Sequence, residues 1–196
     1  MQEQISAVIL CGGQARRMNG VDKGLQRLQG KPLYQWVYQA IATQVDEVII
    51  SANRSLSQYA ESGLPVISDH IEGFLGPLSG MFSGLQTAKH DWVIFVPCDT
   101  PFLPVNLVTR LLNKRRENTE VVYVSDGERE HPTCCLLKRT LSADLKSYLQ
   151  QGNRRVLQFF QQHNYETADF SAQKSCFANI NSLEQLAFYH QRGNLK

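Results

Sequence analysis

Short apolar runs rich in β-branched residues alternate with segments of helical periodicity through the first two thirds of the chain. Six runs have this strand-like composition: ISAVIL (5–10), EVIISA (47–52), PVIS (65–68), WVIFVP (92–97), EVVYVS (120–125) and HPTCCLLK (131–138). The runs are continuously apolar, which indicates burial on both faces, as in a parallel sheet covered by helices. Their alternation with helical segments predicts a series of βαβ units.

Two apolar stripes at helical spacing lie between these strands. The stripes consist of Leu33, Trp36, Val37, Ala40 and Ile41, and of Leu107, Val108, Leu111 and Leu112. Strands and amphipathic helices in this order predict an α/β fold, a Rossmann-like three-layer sandwich with a mostly parallel sheet. We expect a single domain over residues 1–196, because the length suits one domain and no interdomain linker is visible.

The last third of the chain departs from this series. The short polar connection DGERE (126–130) joins two strand-like runs, so one antiparallel strand should enter the sheet late, through a hairpin. Two helices are predicted over about 139–150 and 154–163. The run CFANINSLEQLAFYHQR (176–192) predicts a short strand, a loop and a helix that begins with a capping box at Ser182.

Composition narrows the class of protein without identifying it. The chain has 196 residues, a formal net charge of +2, 42% hydrophobic residues and 19% charged residues. This balance predicts no nucleic-acid or membrane-surface binding, so any cationic site must be local. The N-terminal run has no basic leader and no segment is long enough to span a bilayer. We expect a monomer in the cytoplasm.

The five cysteines favour the same compartment. They show no C-x-x-C pairing and sit mostly in apolar runs, where small core residues and no structural zinc are expected. Cys134 and Cys135 are adjacent on a predicted strand and should face opposite sides of the sheet. Cys98 ends a buried strand without a neighbouring base, so we interpret it as a packing residue.

The first predicted strand ends in LCGGQARRMNGVDKG (10–24), a glycine-rich loop with several cations. Gly12 and Gly13 allow the backbone to approach a ligand closely, and Arg17 and Lys23 supply charge for a phosphate chain. The segment has no G-x-G-x-x-G, and the Gly-Lys pair that follows precedes proline where a Walker loop needs Ser or Thr. A solvated glycine-rich turn is the alternative interpretation.

Two further loops leave predicted strands at the same edge of the sheet. In PCDTPFLP (97–104), Asp99 directly follows an apolar strand, where a fixed carboxylate suits Mg²⁺ beside a polyphosphate. An Asx turn or a helix N-cap is the alternative role for Asp99. In ISDHIEGFLGPLSGM (67–81), Asp69 reaches the same edge and Gly80 brings the backbone close to a base or sugar. Three loops thus converge on the crevice where open α/β sheets bind ligands.

Six motifs follow one another along nearly the whole chain. They are LCGGQARRMNGVDKGLQRLQGKPL (10–33), GPLSGM (76–81), PCDTPFLP (97–104), DGEREHPT (126–133), GNRRV (152–156) and FANINSLEQL (177–186). Together they closely resemble the molybdenum cofactor guanylyltransferases, the MobA family of nucleotidyltransferases. The resemblance implies the nucleotide-diphospho-sugar transferase type of fold. It also implies a Mg²⁺-dependent reaction of GTP with molybdopterin-bound molybdenum, which gives the guanine dinucleotide cofactor and pyrophosphate.

The resemblance also implies roles for individual residues. The implied nucleotide contacts are Leu10, Cys11, Gly12, Gly13, Lys23, Ser51, Asp69 and Asp99. Ser51 aligns with a family asparagine, and Asn53 lies two residues on, so either is a candidate. The implied catalytic residues are Lys23, Asp99 and Arg17, with Asp99 as the ligand of Mg²⁺. The implied contacts to the pterin substrate are Gly80, His131, Arg154, Arg155, Asn179 and Asn181.

The resemblance also implies that residues of about 1–105 bind the nucleotide and that residues of about 106–196 bind the pterin substrate. The pterin phosphate would attack the α-phosphorus directly, so the enzyme needs positioning and charge neutralisation instead of a covalent nucleophile. By themselves, His131 would more often be structural, and Arg154 with Arg155 would be a solvated surface pair. Asn179 and Asn181 alternate along the last predicted strand and should face one way.

Three alternatives stay open. A cytidylyltransferase acting on the same pterin usually shows Gly-Asp in place of PCDTP, and a sugar-phosphate nucleotidyltransferase is generally longer. A carrier that binds nucleotide or cofactor without catalysis belongs to a different class, and the presence of both Lys23 and Asp99 argues against it. The family context implies further partners among cofactor-biosynthesis proteins, molybdoenzymes or their chaperones.

Overall fold

The computed structural model describes residues 3–12, 21–71 and 76–191, and seven of its strands form one sheet. The strands are β1 (Ile5–Leu10), β2 (Arg27–Leu28), β3 (Lys31–Pro32), β4 (Glu47–Ser51), β5 (Val66–Ile67), β6 (Trp92–Pro97), β7 (Val121–Ser125), β8 (Glu130–Lys138) and β9 (Tyr165–Asp169). The α-helices are α1 (Leu33–Ile41), α2 (Leu56–Ala60), α3 (Pro77–Thr87), α4 (Leu107–Lys114), α5 (Ser142–Gln150), α6 (Val156–Phe160) and α7 (Leu183–Gln191).

The main sheet has the order β5-β4-β1-β6-β8-β7-β9. Within it, β8 runs antiparallel to both of its neighbours, and the other described pairs are parallel. The predicted α/β class, with a mostly parallel sheet and one late antiparallel strand, is therefore confirmed. Strands β2 and β3 form a separate small hairpin between β1 and α1.

Neighbouring residues of each central strand enter different hydrophobic cores. In β1, Ala7 and Ile9 pack under α1 and α4, whereas Val8 packs under α3 and α5. In β8, Cys134 joins the first core and Cys135 joins the second, as their adjacency predicts. Continuous apolar strands are needed because both faces of the sheet are covered by helices.

The reversal of β8 determines which loops meet. Because β8 pairs antiparallel with β6, its first residues lie beside the carboxyl end of β6. The hairpin between β7 and β8 consequently shares one edge of the sheet with the loops that follow β1, β4, β5 and β6. Ligands of open α/β proteins bind at such an edge.

The structure differs from the sequence prediction at two elements near the end of the chain. The strand expected at the start of 176–192 is wrong: Ser171–Phe177 forms 3-10 turns, and residues 178–181 belong to no strand. The backbone amides there donate to the Ser175 carbonyl, the Asp99 carbonyl and the Gln185 side chain, which do not form a ladder with a neighbouring strand. Strand β9 was not predicted, because YETAD has few apolar residues.

Among the described residues, no helix combines the length and apolar character required to cross a membrane.

Candidate active site

Three polar side chains from distant parts of the chain meet beyond the carboxyl end of β6. The Lys23 amino group donates to Asp99 Oδ2 at 2.9 Å and to Asn181 Oδ1 at 2.8 Å. The Lys23 side chain is 24% exposed and that of Asp99 is 13% exposed, so the ion pair is largely shielded from solvent. Partial burial strengthens the attraction between the two charges relative to a surface pair. We call Lys23, Asp99 and Asn181 the Lys23 group.

Strand pairing places Asp99 beside the glycine-rich loop. The pairing of β1 with β6 continues past both strands, because the Cys98 amide donates to the Leu10 carbonyl at 3.1 Å. Cys11 in turn donates to the Ser51 carbonyl at 2.7 Å, which extends the pairing of β1 with β4. Gly12 and Asp99 therefore leave the sheet side by side.

The segment before α7 is tied to the same loop by both of its asparagines. The Ile180 amide donates to the Asp99 carbonyl at 2.8 Å, and the Thr100 hydroxyl donates to Asn179 Oδ1 at 2.8 Å. Asn179 and Asn181 thus face the Asp99 loop, although the segment is not a strand. Helix α7 begins as predicted, because the Gln185 backbone amide donates to the Ser182 hydroxyl at 3.2 Å. The Gln185 side-chain oxygen in turn accepts from the Asn181 backbone amide at 2.6 Å.

A second polar group lies beyond β4 and β5. The Asn53 side-chain amide donates to Asp69 Oδ2, and the Asp69 backbone amide donates to Asn53 Oδ1, both at 2.8 Å. Burial raises the pKa of Asp69, and the hydrogen bond from Asn53 opposes that shift. The Ser51 hydroxyl lies beside Gly80. Of the two candidates for a nucleotide contact, Asn53 is therefore the one joined to Asp69.

Two glycines at this edge of the sheet lie too close to neighbouring side chains to leave room for a Cβ. A Cβ on Gly80 would lie 2.9 Å from the Ser51 hydroxyl and 3.0 Å from Leu10 Cδ2. A Cβ on Gly12 would lie 3.2 Å from the Asn53 side-chain nitrogen. All three distances are shorter than ordinary contacts of a methyl group, so a side chain at Gly12 would crowd Asn53, and one at Gly80 would crowd Ser51 and Leu10. The assignment of Gly80 to the pterin contacts stays a prediction; in the structure Gly80 lies beside Ser51 and Leu10.

A cleft of about 740 Å³ extends from Asn179 and Asn181 to the β7–β8 hairpin. His131 and Asp126 line it, with His131 Nε2 at 2.7 Å from Asp126 Oδ2. The other carboxylate oxygen of Asp126 accepts from the backbone amides of Glu128 and Arg129 at 2.9 and 2.7 Å. The hydrogen bond from His131 is the largest of the effects that lower the pKa of Asp126 to about 2. The carboxylate therefore holds both the hairpin turn and the histidine ring.

The two candidate arginines lie in the connection between α5 and α6. The Arg154 guanidinium donates to the carbonyl oxygens of Leu149 and Asn153, at 2.9 and 2.6 Å. Arg155 is exposed and directly precedes α6, with its carbonyl accepting from the Tyr148 hydroxyl at 3.0 Å. The hydrogen bonds described for Arg154 stabilise its own turn and do not join it to the Lys23 group. The candidates Gly13 and Arg17 lie outside the described residues.

The cysteine nearest to Asp99 is a packing residue, as predicted. Cys98 is buried beside Cys11, and the contact with Cys11 together with burial raises the pKa of the Cys98 thiol well above its ordinary value. A buried, protonated thiol is a poor nucleophile, which agrees with a packing role for Cys98. All five cysteines are free.

Two contacts of the site were not found in the sequence. Thr100 holds Asn179, and the buried Tyr59 hydroxyl donates to Asp22 at 2.7 Å, directly before Lys23. Thr100 lies within the PCDTP motif directly after Asp99, so the motif could have indicated a role for Thr100 in the site. Tyr59 lies in a short helix without a motif, and its contact depends on a distant packing arrangement that spacing does not reveal.

Comparison with known proteins identifies the family of this chain. The sequence profile of the MobA-like NTP transferase domain matches residues 7–167. The molybdenum cofactor guanylyltransferase of Histophilus somni (strain 2336) is 50% identical over 190 residues, which cover 96% of this chain and 97% of the relative. The enzyme of the same name from Serratia proteamaculans (strain 568) is 44% identical, with 100% and 98% of the two chains covered.

A solved structure supports the fold independently. Molybdopterin-guanine dinucleotide biosynthesis protein A from Archaeoglobus fulgidus superposes with a TM-score of 0.79 at 18% identity, covering 95% of this chain and 97% of that chain. The profile match and the two sequence relatives extend over nearly the whole chain, and they confirm the resemblance carried by the six motifs. This chain therefore belongs to the MobA-like NTP transferase family and, within it, to the molybdenum cofactor guanylyltransferases.

Proposed function

We propose that this protein transfers GMP from GTP to molybdenum-loaded molybdopterin, forming the guanine dinucleotide cofactor and releasing pyrophosphate. The observation that supports this most strongly is the bridge of Lys23 between Asp99 and Asn181, at 2.9 and 2.8 Å. The bridge joins a residue assigned to the nucleotide with one assigned to the pterin. A single domain, with the nucleotide on about 1–105 and the pterin on about 106–196, is part of the proposal.

The nucleotide side consists of the loops after β1, β4 and β5. We assign nucleotide contacts at the end of β1 to Leu10, Cys11 and Gly12; the Leu10 carbonyl and the Cys11 amide also hold the strand pairing, to Cys98 and Ser51. Gly13 and Arg17 follow in the sequence and are assigned to the same side. Asn53 and Asp69 form one polar group beside them, with Ser51 and Gly80 next to Leu10. Paired amide and carboxylate groups offer donors and acceptors for a base and a ribose. We assign guanine and ribose to this group.

The pterin side is the cleft from Asn179 and Asn181 to His131. Its walls carry amide, imidazole and aromatic groups, including Phe177, whose ring centroid is 5.3 Å from that of His131. A pterin presents a flat ring with donors and acceptors along its edge, which such groups can bind. Arg154 and Arg155 are assigned to anionic parts of the same substrate, outside the hydrogen-bonded group.

Mg²⁺ is also part of the proposal, and Asp99 is suited to hold it. Among the described residues, one oxygen of Asp99 accepts from Lys23, and the other has a 3.5 Å contact with the Thr100 hydroxyl. The described residues contain no group of three or more His, Cys, Asp or Glu side chains that could hold a metal alone. Mg²⁺ needs no such cage, because it usually binds one or two carboxylates, substrate phosphates and water. When bound, Mg²⁺ would neutralise charge on the triphosphate.

The residues of the chain supply positioning and charge. A protonated lysine carries three N–H donors. Two of the Lys23 donors are directed at Asp99 and Asn181, which leaves one for a phosphate oxygen. Fixed in this way, the cation stabilises negative charge that develops as the pterin phosphate attacks the α-phosphorus and pyrophosphate leaves. The attacking oxygen belongs to the substrate, so no side chain becomes covalently linked.

Transfer of label tests the proposal directly. The protein, GTP labelled at the α-phosphorus, Mg²⁺ and molybdenum-loaded molybdopterin should give a labelled dinucleotide and unlabelled pyrophosphate. Lys23→Met should lower the rate by about a hundredfold or more, the size of effect seen when one group that stabilises transition-state charge is removed. Incorporation from CTP and not from GTP would overturn the proposal in favour of a cytidylyltransferase.

A second variant separates an enzyme from a carrier. Asp99→Ala should abolish turnover while much of the nucleotide binding is retained, because the carboxylate acts through Mg²⁺ and Lys23. A carrier would lose little of its measured function in this variant. Normal turnover of Asp99→Ala at limiting Mg²⁺ would contradict the assigned metal ligand. We further propose that the enzyme acts as a cytoplasmic monomer that delivers its product to other cofactor-biosynthesis proteins, molybdoenzymes or their chaperones.

A further inference from the structure

A buried tyrosine lies beneath the turn that carries Lys23. Tyr59 belongs to α2, and none of its surface is exposed. Its hydroxyl donates to Asp22 Oδ1 at 2.7 Å, and its ring packs edge-on against Tyr34 with 5.1 Å between the centroids. Burial raises the pKa of Tyr59, so the hydroxyl remains protonated and acts as a donor. The tyrosine is therefore held by packing and directs one hydrogen bond at Asp22.

Asp22 transmits this contact to Lys23. Asp22 directly precedes the 3-10 helix Lys23–Leu25, and its carbonyl accepts from the Leu25 amide at 3.3 Å and from the Gln26 side chain at 3.2 Å. Its carboxylate is buried and also lies 3.5 Å from Arg54 Nε. Contacts therefore hold both the backbone carbonyl and the carboxylate of Asp22. A shift of its carboxylate would move the backbone from which the Lys23 side chain extends.

Gly24 shows how closely the turn rests on the tyrosine. A Cβ on Gly24 would collide with the Tyr59 hydroxyl oxygen and would lie 3.3 Å from Cζ of the same ring. It would also lie 3.4 Å from Cys11 Sγ, at the end of β1. The residues on both sides of Lys23 are therefore in contact with Tyr59, one by a hydrogen bond and one by direct packing.

We propose that Tyr59 is a positioning residue for nucleotidyl transfer: its hydroxyl, acting through Asp22, fixes the Lys23 amino group between Asp99 and Asn181. The inference rests on the proposed role of Lys23 as a phosphate ligand. Tyr59 itself reaches no substrate. Its loss allows the Lys23 turn to move and lengthens the 2.9 and 2.8 Å contacts of the amino group. Small displacements of this kind are costly because the rate depends on alignment.

Tyr59→Phe tests the proposal, because it removes the hydroxyl and keeps the ring. We expect kcat to fall about tenfold, which corresponds to about 1.4 kcal/mol. The matched control is Tyr34→Phe, which removes the hydroxyl of the neighbouring ring, where the oxygen accepts a hydrogen bond from Gln35 at 3.2 Å. That control should keep kcat within about twofold, because the Tyr34 hydroxyl bonds to Gln35 and not to Asp22.

A double-mutant cycle distinguishes positioning from general damage to the fold. If Tyr59 acts through Lys23, adding Tyr59→Phe to Lys23→Ala should cause no further loss in single-turnover rate. Damage spread through the core would lower both backgrounds equally and would overturn the proposal. If Lys23→Ala alone kept full activity, the proposed function of Lys23 would fail instead. If Tyr59→Phe kept full activity while Lys23→Ala was inactive, the positioning role of Tyr59 would be contradicted and the proposed function of Lys23 would stand.

Gly24→Ala tests the same contact from the other side and serves if Tyr59→Phe does not fold. Its methyl group would push against the Tyr59 hydroxyl, and we expect a loss in kcat of about tenfold, again about 1.4 kcal/mol. In the Gly24→Ala, Tyr59→Phe double variant the methyl meets a ring carbon at 3.3 Å instead of the oxygen, so the two losses should not add. Unchanged kcat in Gly24→Ala would contradict the proposal.

Discussion

Asn181 holds the Lys23 amino group through a single amide oxygen, and that contact links two ends of the chain. The acceptor is neutral, so it orients the cation without competing with a phosphate for its charge. Asp99 provides the charged contact on the other side, at 2.9 Å. Asn181 therefore orients the Lys23 amino group, and Asp99 attracts it electrostatically.

Asn181→Ala should lower kcat by about ten- to a hundredfold, because a hydrogen bond to a charged group contributes about 1.5–3 kcal/mol. Steady-state kinetics with GTP and the pterin varied separately would measure this, and the KM for GTP should change little. Asn179→Ala is the matched comparison, since Asn179 accepts from Thr100 at 2.8 Å and not from Lys23. Equal losses of kcat in the two variants would contradict the role assigned to Asn181.

Gly80→Ala should weaken GTP binding by about tenfold, or about 1.4 kcal/mol, because its methyl would press on the Ser51 hydroxyl and on Leu10. Calorimetric titration with GTP would measure the effect. Gly84→Ala is a useful control, because its Cβ would lie 2.8 Å from Phe95 in the core. Gly84→Ala should lower the melting temperature and leave the affinity for GTP nearly unchanged. Gly80→Ala should lower the affinity for GTP and leave the melting temperature nearly unchanged.

At the scale of elements, the β7–β8 hairpin depends on one carboxylate. Asp126 accepts from two backbone amides of the turn and from His131, and its pKa is lowered to about 2. The ionised form is thus favoured in the folded protein over the unfolded chain, where an aspartate has a pKa of about 3.9. Its contribution to the free energy of unfolding is present above about pH 4 and is lost as the pH falls through about 2.

Asp126→Asn should therefore destabilise the protein at neutral pH by about 1.5–3 kcal/mol, the value of hydrogen bonds that involve a charged group. The difference from the natural protein should shrink between about pH 4 and about pH 2. Urea unfolding at several pH values would measure both trends. A difference that stays constant down to pH 2 would show that shape, and not charge, is what the hairpin needs.

For the whole molecule, the arrangement of loops predicts that GTP stabilises the fold. Each loop of the proposed nucleotide side comes from a different strand of one sheet, so a bound nucleotide would connect several elements. At a concentration one hundred times its Kd, GTP should add about 2.7 kcal/mol to the free energy of unfolding. For a chain of this length that corresponds to a rise in melting temperature of about 5–10 °C.

Thermal shifts with GTP, CTP, ATP and UTP, with and without Mg²⁺, would measure this. GTP should give the largest shift, and Asp99→Asn should remove the part that depends on Mg²⁺. The same shift for all four nucleotides would contradict base selection by the group of Asn53 and Asp69.

Much of this arrangement could be predicted from the sequence, because continuous apolar strands and terminal loops carry a strong signal. Asp99 was placed at the sheet edge correctly, since it directly follows an apolar strand. Asn179 and Asn181 were expected to face one way and do, although they are not on a strand. The role of Asn53 was open because its distance from Asp69 depends on how β4 and β5 pair. The contact of Tyr59 with Asp22 spans 37 positions and depends on packing alone.

The span between Lys23 and Asn181 also bears on how the protein is made. The two residues are 158 positions apart, whereas the nucleotide loops lie in the first half of the chain. Synthesis from the N-terminus lets early segments fold before later ones exist. The residues of the proposed nucleotide side therefore leave the ribosome first, and Lys23 receives its second acceptor only after Asn181 has been synthesised. A shortened chain that stops before Asn179 would lack both asparagines of the proposed site and should therefore be inactive.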